Sequence, residues 1–302
     1  FFFIMLPVKI GLQLSVSPYT WGFELTPFLI TAYFIIMMLF ASWCFLKLSK
    51  DVAIGIILFS IFIYFGLTNM PWLPLILIYG LIGFKIGGLK LSLTIVASFL
   101  FITFTGVLPQ ALLSIYLCGI AVIISFILGS SLGIWAAHND KVSAFMRPIN
   151  DTMQTMPSFV ILIPFVMFFG IGEFTALLAI IAYAFVPAMR YTEHGLRNLP
   201  ETVIEAARMI GCSQTQLLWK VKIPLAMPVI MLGLNQTIMF GLAMLVIAAL
   251  VGTTGLGQLI YIGLSKADFG TGMISGVSIA LIAIIFDRTT QAWRIKLEKK
   301  TQ

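Results

Sequence analysis

Asn198 to Pro228 read NLPETVIEAARMIGCSQTQLLWKVKIPLAMP, the longest polar interruption among otherwise membrane-grade apolar runs. Pro200 suits the first turn of a helix, where its missing N–H leaves nothing unpaired, so a helix is expected from about Glu201 with Asn198 or Leu199 just outside it. Gly211 is free to leave that helix with positive φ. Ser213, followed three residues later by Gln216, is a capping-box pattern that opens a second helix. The local reading is helix, glycine elbow, helix. Such a hairpin presents Val203, Ile204, Ala206, Ala207, Met209, Ile210, Leu217 and Leu218 beside Arg208, Lys220 and Lys222. A short, half-apolar element between two hydrophobic spans needs a partner surface.

The flanks say what the hairpin hangs from. The 302 residues are 60% apolar and 10% charged, with a mean hydropathy of +1.08. That excludes a soluble domain of ordinary composition and predicts an all-α, polytopic transmembrane helical bundle. After a mixed segment over residues 1–26, nine apolar stretches follow, at about 27–46, 52–67, 71–84, 90–108, 111–136, 158–171, 174–190, 228–250 and 271–287. Crossing roughly 30 Å of hydrocarbon takes about 20 residues, so 71–84 and 158–171 are short and are expected to tilt into the interface or stop partway. With the 198–228 loop in the cytoplasm, Lys9 and Lys266 are the two outside residues among 18 Lys and Arg. This positive-inside asymmetry supports the span count, an outer N-terminus and a cytoplasmic C-terminus. It also accounts for the net charge of +7 without nucleic acid. Trp21 and Trp72 at outer ends, and Trp43, Trp135 and Trp293 at inner ends, fit an interfacial belt. The start at Phe1-Phe2-Phe3 raises the expectation of a fragment or processed form of a longer product, and no signal-peptide pattern opens it.

Enzyme motifs are weak. Gly129-Ser130-Ser131-Leu132-Gly133 satisfies G-x-S-x-G, but a nucleophile elbow needs a strand before it, and this run lies inside an apolar helical pattern. The same residues satisfy small-xxx-small, which lets membrane helices approach closely. Cys44, Cys118 and Cys212 are isolated and read as free thiols. His138 and His194 have no metal-ligand spacing, so no metal site is expected. No phosphate-binding loop occurs, so ATP would have to be handled by another subunit. Intramembrane charge is sparse, which argues against proton- or sodium-coupled transport. Asn235, Gln236 and Thr237 are candidates either for lining a pathway or for interhelical hydrogen bonds. The segment Gly252 to Gly272 is a candidate for re-entering the membrane or facing a partner outside it.

The hairpin also carries a resemblance. Glu205-Ala206-Ala207, then Gly211, then Val221, Ile223 and Pro224 resemble the EAA signature of binding-protein-dependent ABC importer permeases: EAA, three residues, G, nine residues, I-x-L-P. Val221 and Ile223 stand where Ile and Leu are usual. Further runs, among them Met153 to Pro157, Val166 to Gly172, Lys222 to Pro228, Gly255 to Gln258 and Asp287 to Ala292, resemble the glycine betaine/proline (ProW-like) permeases over about three-quarters of the chain.

This resemblance implies a type I importer permease fold. It divides the chain into an N-terminal segment with two extra spans (1–70), a permease core (71–293) and a basic cytoplasmic tail (294–302). It implies a homodimer in lipid, a cytoplasmic ATP-binding subunit that carries ATP and Mg, an extracytoplasmic substrate-binding protein, and a betaine-type osmolyte as cargo. By the same resemblance Glu205, Ala206, Ala207, Gly211, Ile223 and Pro224 would couple to the ATPase. Glu173, Gly255, Gly257, Lys266 and Asp268 would face the receptor. The rival reading is an ATP-independent secondary carrier or channel for small solutes.

Overall fold

The computed structural model describes residues 72–301, and the two apolar stretches before residue 70 lie outside them. From Tyr79 onward the chain is one compact unit. Its helices are α1 (Trp72–Phe104), α2 (Leu108–His138), α3 (Asp140–Thr155), α4 (Ser158–Phe169), α5 (Glu173–Arg197), α6 (Glu201–Met209), α7 (Gln214–Gln216), a π turn (Leu217–Lys222), α8 (Ile223–Ala248), α9 (Leu256–Ser265) and α10 (Phe269–Thr301). No strand occurs among the described residues. The all-α reading holds. Among the described residues five stretches are long and apolar enough to span a bilayer, one of them the kinked α1, or six if α3 and α4 together form one broken span.

The segment α1 is not one rod. Gly88 has φ 77°, outside the helical region. The Ser92 hydroxyl donates to the Gly80 carbonyl at 2.8 Å, and the rings of Tyr79 and Phe99 stack with centroids 5.2 Å apart. In a straight helix residues 79 and 99 would be about 30 Å apart, so the chain reverses at Gly88. Residues 79–87 and 89–104 are therefore two antiparallel arms.

Gly129 and Gly133 set the packing of α2 on α5. A methyl group on Gly129 would lie 2.6 Å from the Phe185 carbonyl oxygen, and one on Gly133 would lie 2.6 Å from that of Met189. The G-x-S-x-G run is therefore a helix-contact stripe, and the Ser131 hydroxyl is turned back to the Ile127 carbonyl. Thr192 and Ala188 face the same glycines.

The short stretch at 158–171 becomes α4, bent 102° from α3. Met156 is extended (φ −69°, ψ 133°), as the residue before a proline prefers to be, so Pro157 ends α3. Gly170, at φ 73°, then reverses the chain into α5.

Contacts sort the helix ends into two groups. At one end the Thr254 hydroxyl donates to Glu173 at 2.6 Å, and the Leu256 N–H donates to the Ser114 hydroxyl at 2.9 Å. At the other end Lys222 meets His138 (3.4 Å), Arg197 meets Asp140 (2.8 Å), and Lys296 bonds the Lys85 carbonyl. Lys85, Lys141, Arg197, Lys222 and Lys296 share that second end, while Lys266 belongs to the first.

Candidate functional site

The hairpin at the basic end is built from local sequence. Helix α6 begins at Glu201, with Pro200 one position earlier than the first turn. It closes in a Schellman arrangement: the Gly211 N–H donates to the Arg208 carbonyl (2.9 Å) and the Cys212 N–H to that of Ala207 (3.2 Å). Gly211 takes φ 87°, a conformation that favours glycine. The capping box is complete, since the Gln216 N–H donates to the Ser213 hydroxyl (3.3 Å) while the Gln216 carboxamide oxygen accepts from the Ser213 N–H (3.0 Å).

The side chains divide sharply. Ala207 and Leu217 turn inward, 8% and 1% exposed. Ala207 packs inside the hairpin, while Glu205 and Ala206 remain outside. With Thr202, Arg208 and Met209 they line a recess of about 550 Å³. Met209 and Ile210, at 89% and 84%, are bare at the tip, and Trp219 of the π turn is also exposed. Large apolar side chains in this position remain unpartnered in the isolated chain.

The hairpin is tied to the bundle at both roots. On the α5 side, the buried Glu193 carboxylate accepts from Ser143 of α3 (2.5 Å) and from Arg197 (3.0 Å). Arg197 also donates to the Ala136 carbonyl of α2 at 2.7 Å. On the α8 side, Leu196, Ala226 and Ile230 form a buried cluster against which Ile223 and Leu199 pack. Pro224 is the second residue of α8, just past the π turn.

Asn235, Gln236 and Thr237 point three ways. The Asn235 amide donates to Asp287 of α10 (2.8 Å) and its oxygen accepts from Thr290 (2.6 Å). Thr237 is fully buried and donates to the Gly233 carbonyl of its own helix. Gln236 stays half-buried. Asp287, which also accepts from Gln291, enters the sequence reading only as the first residue of the Asp287–Ala292 run and not as a partner of Asn235. Its signal was a carboxylate near the end of an apolar run with an amide four residues on.

At the opposite end, Lys266 and Asp268 are exposed, and Glu173 is partly so. Gly255 and Gly257 are buried rather than facing outward. A methyl on Gly255 would lie 2.6 Å from the Ser114 hydroxyl, and one on Gly257 would lie 3.2 Å from the Leu245 carbonyl. Hydrogen bonds from the Thr271 hydroxyl and N–H hold the Asp268 carboxyl below the usual carboxylate range. Met209 and Ile210 at one end, and Leu264, Phe269 and Met273 at the other, are among the exposed large apolar side chains.

Residues 129–293 match the family described as binding-protein-dependent transport system inner membrane component. The chain belongs to this family. The hairpin, the α5–α8 seam and the outer helix α9 all lie within the matched stretch. ProW of Escherichia coli (strain K12), a glycine betaine/proline betaine transport system permease protein, is 40% identical over 226 residues, 75% of this chain and 64% of ProW. TmoV of Pelagibacter ubique (strain HTCC1062), a trimethylamine N-oxide transport system permease protein, is 42% identical over 226 residues, 74% of this chain and 31% of TmoV. The chain therefore spans under two thirds of either relative. An inward-facing structure of the MetNI methionine ABC transporter covers 63% of this chain and 95% of its own, with a TM-score of 0.56 at 18% identity. At that identity it shows the fold, which is the expected ABC importer permease fold. This member of the inner membrane component family is accordingly a multi-pass membrane protein.

Proposed function

We propose that the chain is the permease subunit of an ATP-driven importer for betaine-type osmolytes, coupled through its hairpin to a separate ATPase. The observation that carries the reading is the hairpin itself: a rigid, doubly capped element at the basic end, bare at Met209 and Ile210 and anchored into α5 and α8. Glu205, Ala206 and Gly211 form its outer shell, while Ile223 and Pro224 join it to α8. Force applied at the tip reaches two long helices through a short, stiff path.

ATP and Mg belong to the ATPase subunit in this reading, and the chain itself is not an enzyme. Two copies present two hairpins to two ATPase subunits. The exposed outer residues Lys266 and Asp268, with Glu173, meet a substrate-loaded receptor. The basic end is cytoplasmic, and the first residues of the chain lie outside. ProW and TmoV are named for different cargo at nearly equal identity to this chain, so identity alone does not choose among glycine betaine, choline, carnitine, proline betaine and trimethylamine N-oxide.

ATP hydrolysis in lipid nanodiscs tests the reading, using this permease with its ATPase and receptor against that panel. Stimulation by one loaded receptor establishes the importer and names the cargo. An ATPase that neither binds nor responds overturns it in favour of an ATP-independent carrier.

A further inference from the structure

Midway through the bundle, the seam between α5 and α8 carries polar groups with no hydrogen bond among the described residues. The less buried stripe of α8 runs through Leu225, Val229, Leu232, Gln236, Phe240 and Ala243, steps of three and four residues that keep to one helical face. Gln236 is its one polar member, and among the described residues its amide makes no hydrogen bond. One turn outward, Phe240 stacks on Tyr183 of α5, with centroids 5.0 Å apart and planes at 29°. Both rings are half-buried. The Tyr183 phenol likewise has no hydrogen bond among the described residues. Along their helices, Tyr183 lies about 15 Å below Glu173 and Phe240 about 17 Å below Val251, at a rise of 1.5 Å per residue. Tyr183 and Phe240 share one depth, and Gln236 lies about one turn further in, all well inside the hydrocarbon.

A free amide and a free phenol gain nothing from lipid, which offers no partner for either. Such a pair on a half-open seam belongs against water or a polar solute. We propose that Tyr183, Gln236 and Phe240 line a low-affinity subsite within the permease for a compact methylated ammonium solute, an inference that rests on the importer reading above. The aromatic rings take the methylated cation on their exposed faces. The amide and phenol offer neutral hydrogen bonds to the anionic or oxide end of the solute. The adjoining turns, residues 179–187 and 232–240, hold no charged side chain. Contact is therefore weak, as a path that must release its cargo requires.

Thiol accessibility in the assembled importer, with ATPase and receptor in proteoliposomes, tests the assignment. Gln236→Cys and Tyr183→Cys are made in a chain with Cys44, Cys118 and Cys212 replaced by Ala, and the probe is a methanethiosulfonate bearing trimethylammonium. Leu93→Cys, at a position 59% exposed on α1, is the lipid-facing control. Because the bilayer core excludes water, both seam thiols are expected to react about tenfold faster than the control. ATP with glycine betaine-loaded receptor should slow both several-fold. Phe240→Cys supplies the same readout if either variant fails to assemble. Reaction no faster than the control overturns the subsite, because the seam is then closed to water. Fast reaction without protection by cargo overturns it too. Wild-type uptake in the same vesicles separates the two readings: uptake alongside a negative labelling result sinks the subsite alone, whereas no uptake sinks the importer reading and the subsite with it.

Discussion

The backbone N–H of Ile223 donates to the carbonyl of Leu218, five residues back rather than four. The next residue, Pro224, has no N–H to offer, and Pro228 repeats the loss one turn later. The wide turn over Leu217–Lys222 is the local answer to those missing donors. It places the most weakly hydrogen-bonded part of the helix where the hairpin joins α8.

Restoring a donor there should separate binding from coupling. Pro224→Ala removes a helix-interior proline penalty of up to about 3 kcal/mol, so its melting temperature should not fall. Solute taken up per ATP hydrolysed should drop. An unchanged ratio, measured in vesicles, would mean the turn merely accommodates the proline.

Gly211 tests the elbow. An L-residue held at its φ of 87° carries a strain of about 1–2 kcal/mol, so Gly211→Ala should still retain the ATPase on an affinity column while lowering substrate-stimulated turnover. Gly211→Pro loses the N–H that bonds Arg208 and demands negative φ. It should still bind ATPase but lose substrate-stimulated turnover. Normal transport by this variant would remove the hairpin from the mechanism.

Gly263 and Gly276 are both glycines of apolar helices with opposite surroundings. A methyl on Gly263 would lie 2.6 Å from the Gly272 nitrogen, whereas one on Gly276 would meet nothing within 4 Å. Gly263→Ala should destabilise the α9–α10 hairpin by about 1–3 kcal/mol. Gly276→Ala should be neutral, or stabilising by up to about 1 kcal/mol. Thermal unfolding in detergent reads both, and equal melting temperatures would contradict the close approach.

Arg197 and Arg190 make ion pairs of different worth. Removing Arg197 leaves the Glu193 carboxylate, its side chain 12% exposed, with Ser143 alone. Arg197→Met should therefore be strongly destabilising, by about 3 kcal/mol. Arg190 and Asp151 have side chains 39% and 65% exposed, and Arg190→Met should change stability by about 1 kcal/mol or less. Unfolding by denaturant ranks them, and the reverse order would sink the argument.

The hairpin was legible because its signals are local. The missing N–H of Pro200, the free φ of Gly211 and the reciprocal bonds of Ser213 and Gln216 act within a few residues of one another. The Gly129–Gly133 stripe was legible as a close contact, but its partner was not, because the facing backbone at Phe185 and Met189 is more than fifty residues away. Ala206 and Ala207 look alike in sequence, yet a step of about 100° turns one outward and the other into the hairpin.

Run lengths of apolar residues, the glycine elbow and the placement of Lys and Arg determined by themselves that this chain is a helical membrane protein with a capped hairpin at one end. Each depends on local backbone chemistry or on transfer of a whole segment from water. The reversal at Gly88, the burial of Gly255 and Gly257, the tie between Asn235 and Asp287 and the open amide of Gln236 were decided only by the tertiary structure. Successive residues of a helix face different neighbours, and which neighbour is present depends on packing between segments far apart in the chain.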